Sequence, residues 1–173
     1  MRALFVLAVA ALIGFLLSPL LRADASCVPA PAASAVSLEK WSDDQVANAR
    51  VIVTIGNQRG VPEQGIVIAV ATALQESRLR NLRGGDRDSI GLFQQRPSQG
   101  WGTPGQLRDP AYQTQKFYDK LLTVDGWPDM RLTEAAQAVQ VSAFPEAYTK
   151  HTSSATRLVS ALKAPASASA CTV

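Results

Sequence analysis

The sequence predicts a mainly α-helical fold, α+β at most, built as a single domain. Its 173 residues are enough for one hydrophobic core and too few for two comfortable ones. From Leu38 onward, apolar residues recur at helical spacing in about five separate segments. Glycine and proline are concentrated between the second and third segments, which predicts a loop or a short strand there.

The first helix is predicted to begin at a capping box and to stop at a glycine. Ser42-Asp43-Asp44-Gln45 has the form of such a box, in which the serine and glutamine side chains satisfy each other's backbone amides. Helical spacing then continues until Gly60, through Val46, Ala49, Val53 and Gly56.

The second helix is predicted from Glu63 to about Arg80, with Pro62 suited to a first helical position. Its apolar positions are spaced for a largely buried element: Ile66, Val67, Val70, Ala73, Leu74 and Ser77. Residues 82–105, rich in glycine and proline, follow it as the predicted loop or short strand.

Three further helices complete the predicted domain, which spans residues 38–163. Asp109 followed by Pro110 is a good N-cap and first residue for a third helix, which ends by Gly126. A fourth runs from about Thr133 until Pro145 interrupts it, and "TSSATRLVSALK" forms a short fifth.

The N-terminus has the pattern of an export signal. A basic start is followed by an apolar run, and then by Ala23-Asp24-Ala25, which has the small-x-small form of a signal-peptidase site. Residues 1–25 are therefore predicted to be a signal peptide, and residues 26–37 a Pro/Ala/Ser linker. The alternative is a retained anchor, because an apolar run of this length could just span a bilayer. Either way the protein is expected to be secreted or in the cell envelope, with membrane contact only through this segment.

The two cysteines, Cys27 and Cys171, lie at opposite ends of the domain. Outside the cytoplasm a pair of thiols tends to oxidise, so the sequence predicts one disulfide that ties the linker to the C-terminal tail, residues 164–173. Closing a loop of this length would stabilise the fold by about 5 kcal/mol on the chain-entropy model.

Composition argues against several kinds of partner. A formal net charge of +3 is too small to indicate nucleic-acid binding, and aromatic platforms for bases are missing. The single histidine, His151, has no second histidine or clustered cysteines beside it, so it is expected to be a surface residue and no metal site is predicted. No phosphate-binding glycine loop follows a strand, so no cofactor is predicted.

Glu76 is the strongest candidate for chemistry. It closes the second helix, on the same side as the small residues Ala69, Thr72 and Ala73. Partial burial and the negative end of the helix dipole would both raise the pKa of its carboxyl group. A carboxylic acid that is protonated near neutral pH suits general acid catalysis of glycosidic cleavage. The alternative is an ordinary surface glutamate at a helix end.

The segments around Glu76 resemble a known family. Glu76-Ser77, followed a loop later by Gly91-Leu92-Phe93-Gln94, is similar to the hallmark of the lytic transglycosylase and goose-type lysozyme superfamily. The resemblance covers roughly residues 40–150. "GDRDSIGLFQQRPSQGWGT" and "AVQVSAFPEAYTKH" are closer still to secreted actinobacterial and phage-associated members of this group.

The resemblance implies a lysozyme-like domain in which the glycine-rich loop forms a cleft for peptidoglycan glycan strands. It makes Glu76 the general acid/base that cleaves the β-1,4 bond between N-acetylmuramic acid (MurNAc) and N-acetylglucosamine (GlcNAc). It also makes Gln94 a cleft residue. A segment ending at Tyr148 stands where the family has an Ala-Tyr-Asn-Ala-Gly motif. The candidate substrate-binding residues are Ser77, Gln94, Gln95, Trp101 and Tyr148.

Three alternatives remain open for the activity. A lytic transglycosylase needs only one glutamate, because the substrate's own N-acetyl or 6-hydroxyl group supplies the nucleophile, and the resemblance favours this reaction. A hydrolytic lysozyme would need a second carboxylate, for which Asp86 and Asp88 are the candidates, although both suit turn and capping roles as well. A non-catalytic peptidoglycan-binding module would keep the fold and the cleft without turnover.

Overall fold

The computed structural model of the chain describes residues 38–142, 144 and 146–164. The predicted signal peptide, the linker, the C-terminal tail from residue 165 and the proposed Cys27–Cys171 disulfide lie outside the described residues.

The prediction of a mainly α-helical fold is confirmed. The described residues form five α-helices: α1 (Asp43–Gln58), α2 (Glu63–Ser77), α3 (Pro110–Leu121), α4 (Leu132–Gln140) and α5 (Thr152–Lys163). Short 3₁₀ helices lie between them, and the only β-type pairing among the described residues is one isolated antiparallel bridge between Ile90 and Gln95. None of the helices in this part of the chain combines the length and apolar character needed to cross a bilayer.

The start of α1 follows the sequence prediction. The Ser42 side chain accepts a hydrogen bond from the Gln45 amide, and the Gln45 side chain accepts one from the Ser42 amide, so the capping box is confirmed. The Gln45 side chain also donates to the backbone carbonyl of Arg78 at 2.8 Å. The cap of α1 is therefore joined to the residue that follows α2.

α2 differs from its prediction at both ends. Pro62 is the N-cap and not a first helical residue, and the helix ends at Ser77 and not near Arg80. Arg78 and Leu79 have positive φ angles of 55° and 59°, and the Leu79 amide donates back to the carbonyl of Ala73. This left-handed turn reverses the chain and puts the Leu79 side chain fully inside the core. Burial of that leucine offsets the strain of two consecutive left-handed residues.

The later helices follow the predicted order, and one of them, α4, is shorter than predicted. Asp109 caps α3 through a bond from the Ala111 amide, as predicted, and α5 matches its predicted segment. The prediction for α4 was wrong at its C-terminus, because this helix ends at Gln140, well before Pro145. Val141 adopts a left-handed conformation with φ 51°, which ends the helix without proline.

α2 is the central helix of the domain. It contacts α1, α3, α4 and α5, and most of its residues are buried on every side. A helix that is apolar all round in this way is held by packing rather than by its own hydrogen bonds. It therefore gives Glu76, at its last turn, a rigid support.

Candidate active site

Glu76 lies at the edge of the core. It is the penultimate residue of α2, and the stripe beneath it (Ala69, Thr72 and Ala73) is fully buried. The glutamate side chain itself is half-buried. One side of its carboxyl group therefore faces protein while the other faces outward.

Burial raises the pKa of the Glu76 carboxyl group above its usual range. Two hydrogen bonds act in the opposite direction and lower this pKa, one from Tyr148 and one from Gln140. The Tyr148 hydroxyl donates to Oε1 of Glu76 at 2.9 Å. Desolvation is the larger effect, so the carboxyl group of Glu76 keeps its proton to a higher pH than an exposed glutamate does.

Tyr148 is completely buried, although it was predicted to bind substrate. It follows the segment after α4, and its backbone carbonyl accepts a bond from the amide of His151. Burial and the nearby charge of Glu76 both raise the pKa of its phenol, so the hydroxyl stays protonated and acts as a donor. Its contact is with the carboxyl group, so it orients Glu76 instead of offering a surface to a ligand.

Gln140, which the sequence analysis did not select, is the second group on Glu76. It is the last residue of α4, and its side-chain amide donates to the backbone carbonyl of Phe93 at 2.8 Å. The same side chain hydrogen-bonds the Glu76 carboxyl. One residue thus ties α4, the loop and the end of α2 together. Only its place in the segment that resembles the family could have indicated it from the sequence.

The loop at residues 82–105 is folded by backbone pairing around a glycine. Ile90 and Gln95 exchange both backbone hydrogen bonds, and the Gly91 amide donates to the carbonyl of Leu82. Gly91 has φ +83°, and a Cβ atom there would lie 2.1 Å from the side-chain amide of Gln113. Both conformation and space require glycine at this position.

Gln113, a second residue that the sequence analysis missed, is the buried polar centre of the loop. Its Oε1 accepts from the Phe93 amide at 3.4 Å, and its Nε2 donates to Oδ1 of Asn81 at 3.1 Å. Its backbone carbonyl accepts from the Gln95 side chain. The signal in the sequence was its position four residues before Phe117, on the apolar face of the third helix. Gln113 is fully buried there, and a buried amide requires hydrogen-bond partners.

Ser77 and Gln95, predicted to bind substrate, are both buried in the protein. The Ser77 hydroxyl is buried and donates to the carbonyl of Leu92 at 2.7 Å. Gln95 is 1% exposed, and its Nε2 donates to the backbone carbonyl of Gln113 at 3.2 Å. Ser77 therefore fixes the loop against α2, and Gln95 fixes it against α3.

Gln94 and Trp101 are only partly buried, so they remain candidates for contact with a ligand. Gln94 has φ 47°, and its side-chain amide donates to the Gly91 carbonyl. Its Oε1 lies so close to Gly85 that any Cβ there would clash with it. Trp101 packs in part against the core, and its backbone carbonyl accepts from the Tyr112 hydroxyl.

The two candidate second carboxylates have different environments. Asp88 accepts from the Arg96 guanidinium at 2.7 Å and from both the amide and the hydroxyl of Ser98, and these bonds hold its pKa far below the usual range. It closes the loop as a turn residue. Asp86 is 93% exposed at its side chain, with Arg87 at 3.9 Å. Neither aspartate is among the groups that shift the pKa of Glu76.

His151, predicted to be a surface residue, is half-buried and contacts the residue before Glu76. Its Nε2 is 3.1 Å from Oε1 of Gln75, and burial lowers the pKa of its ring. The imidazole is therefore neutral at physiological pH and orients Gln75. The described residues contain no group of three or more His, Cys, Asp and Glu side chains that could hold a metal ion.

A cavity of about 580 Å³, here called the lysine cavity, begins beside this site. It lies between the loop at residues 99–101, the C-terminal half of α3 with Lys116 and Lys120, and the end of α4. Glu76 does not line it, but Gln140 does, so that residue joins the cavity to the carboxyl group.

The site therefore consists of a carboxyl group biased toward its protonated form and held by two neutral donors, with a shaped loop on one side. Such a group can donate a proton to a departing oxygen and take one back. No protein-family model and no curated protein matches the chain.

Proposed function

We propose that this protein is an exported lytic transglycosylase that cleaves the β-1,4 bond between MurNAc and GlcNAc in peptidoglycan. Glu76 is the single acid/base in this proposal. The observation that carries it is the environment of Glu76, whose carboxyl group is desolvated at the end of a buried helix and receives a hydrogen bond from a buried tyrosine. The resemblance of the flanking segments supports the choice of substrate.

The proposed reaction begins with protonated Glu76. As the bond between MurNAc C1 and the bridging oxygen breaks, Glu76 donates its proton to that oxygen, which leaves with GlcNAc. The N-acetyl oxygen of the same MurNAc stabilises the positive charge that develops at C1. The 6-hydroxyl oxygen then bonds to C1 and gives its proton to the Glu76 carboxylate. The product is a 1,6-anhydro-MurNAc end, no water is consumed, and the acid is regenerated.

The polar contacts around Glu76 support a reaction without a second carboxylate. Asp88 is committed to Arg96 and Ser98, and Asp86 is almost fully exposed. Tyr148 and Gln140 can each stabilise the transient Glu76 carboxylate, since both donate hydrogen bonds to it. Substrate-assisted attack by the 6-hydroxyl matches this arrangement better than hydrolysis through either aspartate.

The test is Glu76→Gln on purified cell walls. We expect at least about a 100-fold loss in the release of soluble muropeptides, because the amide cannot supply the proton. Glu63→Gln, at the exposed first turn of the same helix, is the matched control and should retain activity. Unchanged helical circular dichroism would show that both variants fold. Full activity of Glu76→Gln would exclude the proposed role.

Mass spectrometry of the products distinguishes the alternatives. Anhydro-MurNAc ends support the transglycosylase, whereas reducing ends that are lost in Asp86→Asn or Asp88→Asn would identify a hydrolytic lysozyme. If the unaltered protein releases nothing but still sediments with walls, the non-catalytic binding module is correct.

A further inference from the structure

The lysine cavity has a charge pattern that a neutral sugar does not require. Two lysines and one aspartate line it: Lys116, Lys120 and Asp119. The Asp119 carboxylate is paired with Arg59 at 2.8 Å and is within 3.8 Å of Lys116. Because Arg59 neutralises the aspartate, the cavity keeps an excess of positive charge.

Lys120 is the available cation. Its ammonium group has no ion pair or hydrogen bond among the residues that the structure describes, whereas Lys116 also lies over the Tyr112 ring at 5.6 Å. Lys116 is thus partly held in place, and Lys120 can turn toward a ligand.

The remaining walls of the cavity combine apolar and amide surfaces. Trp101 and Val141 present apolar groups, and Val141 is 80% exposed. Gln99 and Thr123 add hydrogen-bonding side chains. A ligand that matches these walls would carry small apolar groups, amides and carboxylates together. A short acidic peptide has this composition.

We infer that the lysine cavity binds the acidic peptide stem that is attached to the muramyl residue, with Lys120 as its main carboxylate partner. The inference rests on the proposed function and extends it to the form of substrate: strands that carry peptides are cleaved in preference to bare glycan. Gln140 provides the physical link, since it lines the cavity and also contacts Glu76. A stem on a muramyl residue held at Glu76 would therefore enter the cavity beside it.

A phosphate-rich wall polymer fits this cavity less well. Phosphate recognition favours the paired donors of arginine, and the cavity is lined by lysines, an aspartate and apolar groups.

The first experiment measures kcat/KM on soluble glycan strands with their stems intact and on the same strands after an amidase has removed the stems and the lactyl carboxyl groups exposed by this cleavage have been converted to amides. We expect Lys120→Glu to lower kcat/KM on stem-bearing strands by about tenfold, because reversal removes one attraction and adds one repulsion. Activity on bare strands should change by less than about twofold. Lys40→Glu makes the same change of charge outside the cavity and should affect neither substrate. Equal loss on both substrates, or no loss, would overturn the inference.

The second experiment is independent of turnover. In the Glu76→Gln background, with and without Lys120→Glu, isothermal titration calorimetry compares a tetrasaccharide with its stems and the same tetrasaccharide without them, its lactyl carboxyl groups converted to amides. Binding that depends on both the stem and Lys120 supports the inference, even if the unaltered protein cleaves nothing and the catalytic proposal fails. Displacement of the stem-bearing ligand by a glycerol phosphate polymer as readily as by free stem peptide would overturn it, because the cavity would then be a general anion site.

Discussion

α2 and the loop at residues 82–105 meet at the same carboxyl group but are stabilised in opposite ways. α2 is held by apolar packing on all sides, with seven of its residues at 0% exposure: Ile66, Ile68, Ala69, Val70, Ala71, Thr72 and Ala73. The loop is folded by its own backbone hydrogen bonds and is fastened to the helices by side chains that bond its backbone, from Ser77, Gln113 and Gln140. Packing raises the pKa of Glu76, while the hydrogen bonds fix the position of the loop beside α2.

The raised pKa of Glu76 and the position of the loop can therefore be changed separately. The apolar packing of α2 is the sum of many weak contacts, so no single neighbouring residue is essential to it. Removal of a large buried side chain still lowers stability, because the close-packed core does not refill the space. The loop depends on a few specific donors and acceptors, and each leaves a buried group unpaired when it is removed. Substitutions in α2 should therefore affect stability first, and substitutions around the loop should affect activity first.

The largest effect is expected in α2. Ile68→Ala should lower the free energy of unfolding by about 2–5 kcal/mol, because it removes buried methyl groups and leaves a cavity. Ile68 is fully buried, and Val141→Ala, at an 80% exposed position, is the control that should change stability by less than about 0.5 kcal/mol. Urea denaturation measures both. A loss below 1 kcal/mol for Ile68→Ala would contradict the central position of α2.

Gln113→Ala should have the next largest effect. It leaves the Phe93 amide and the Asn81 side chain without their shared partner, which should cost about 1–3 kcal/mol. Because the loop moves while Glu76 stays in place, we expect a loss of kcat/KM greater than the loss of stability explains at temperatures where the variant is folded. Gln115→Ala, exposed on the same helix, is the control. Normal kcat/KM in folded Gln113→Ala would show that the position of the loop does not matter for the proposed reaction.

The sequence predicted α2 and the position of Glu76 well, for a physical reason. Apolar spacing and small residues report burial directly, so the stripe of Ala69, Thr72 and Ala73 placed the glutamate at the border of the core. Helix ends were less predictable. Arg78 and Val141 take left-handed conformations that depend on the burial of Leu79 and on the loop, which are contacts between distant segments.

The polar contacts could be predicted only in part. Local patterns gave the capping box of Ser42 and Gln45 and the cap at Asp109. Bonds across long separations gave no local signal: Gln140 reaches Phe93, and Tyr148 reaches Glu76, 72 residues away. The sequence does not reveal whether a glutamine or serine side chain is exposed or buried. The burial of Ser77 and Gln95, which were predicted to bind substrate, therefore could not be predicted.

A smaller effect is expected from Tyr148→Phe, which keeps the packing and removes one hydrogen bond. That bond lowers the pKa of Glu76, so its loss should raise this pKa further and move the alkaline limit of activity to higher pH. Stability should fall by about 0.5–1.5 kcal/mol. The pH profile of kcat/KM on soluble glycan strands measures the shift. An alkaline limit that stays in place, or moves to lower pH, would show that Tyr148 does not act on the carboxyl group.

The smallest effect concerns the stability of Glu76→Gln. Because burial raises the pKa of Glu76 in the folded state, the folded protein binds more protons than the unfolded chain between the unfolded and folded pKa values. The free energy of unfolding of the unaltered protein must therefore fall as pH rises through that window, and it stays lower above it. Glutamine does not ionise. We expect Glu76→Gln to have a higher Tm than the unaltered protein at pH 7, with a difference that shrinks as pH falls below the ordinary pKa of glutamate. Thermal unfolding at several pH values measures this difference. A variant that is less stable at pH 7, or a difference that does not change with pH, would mean that the fold does not hold this carboxyl group in its protonated form.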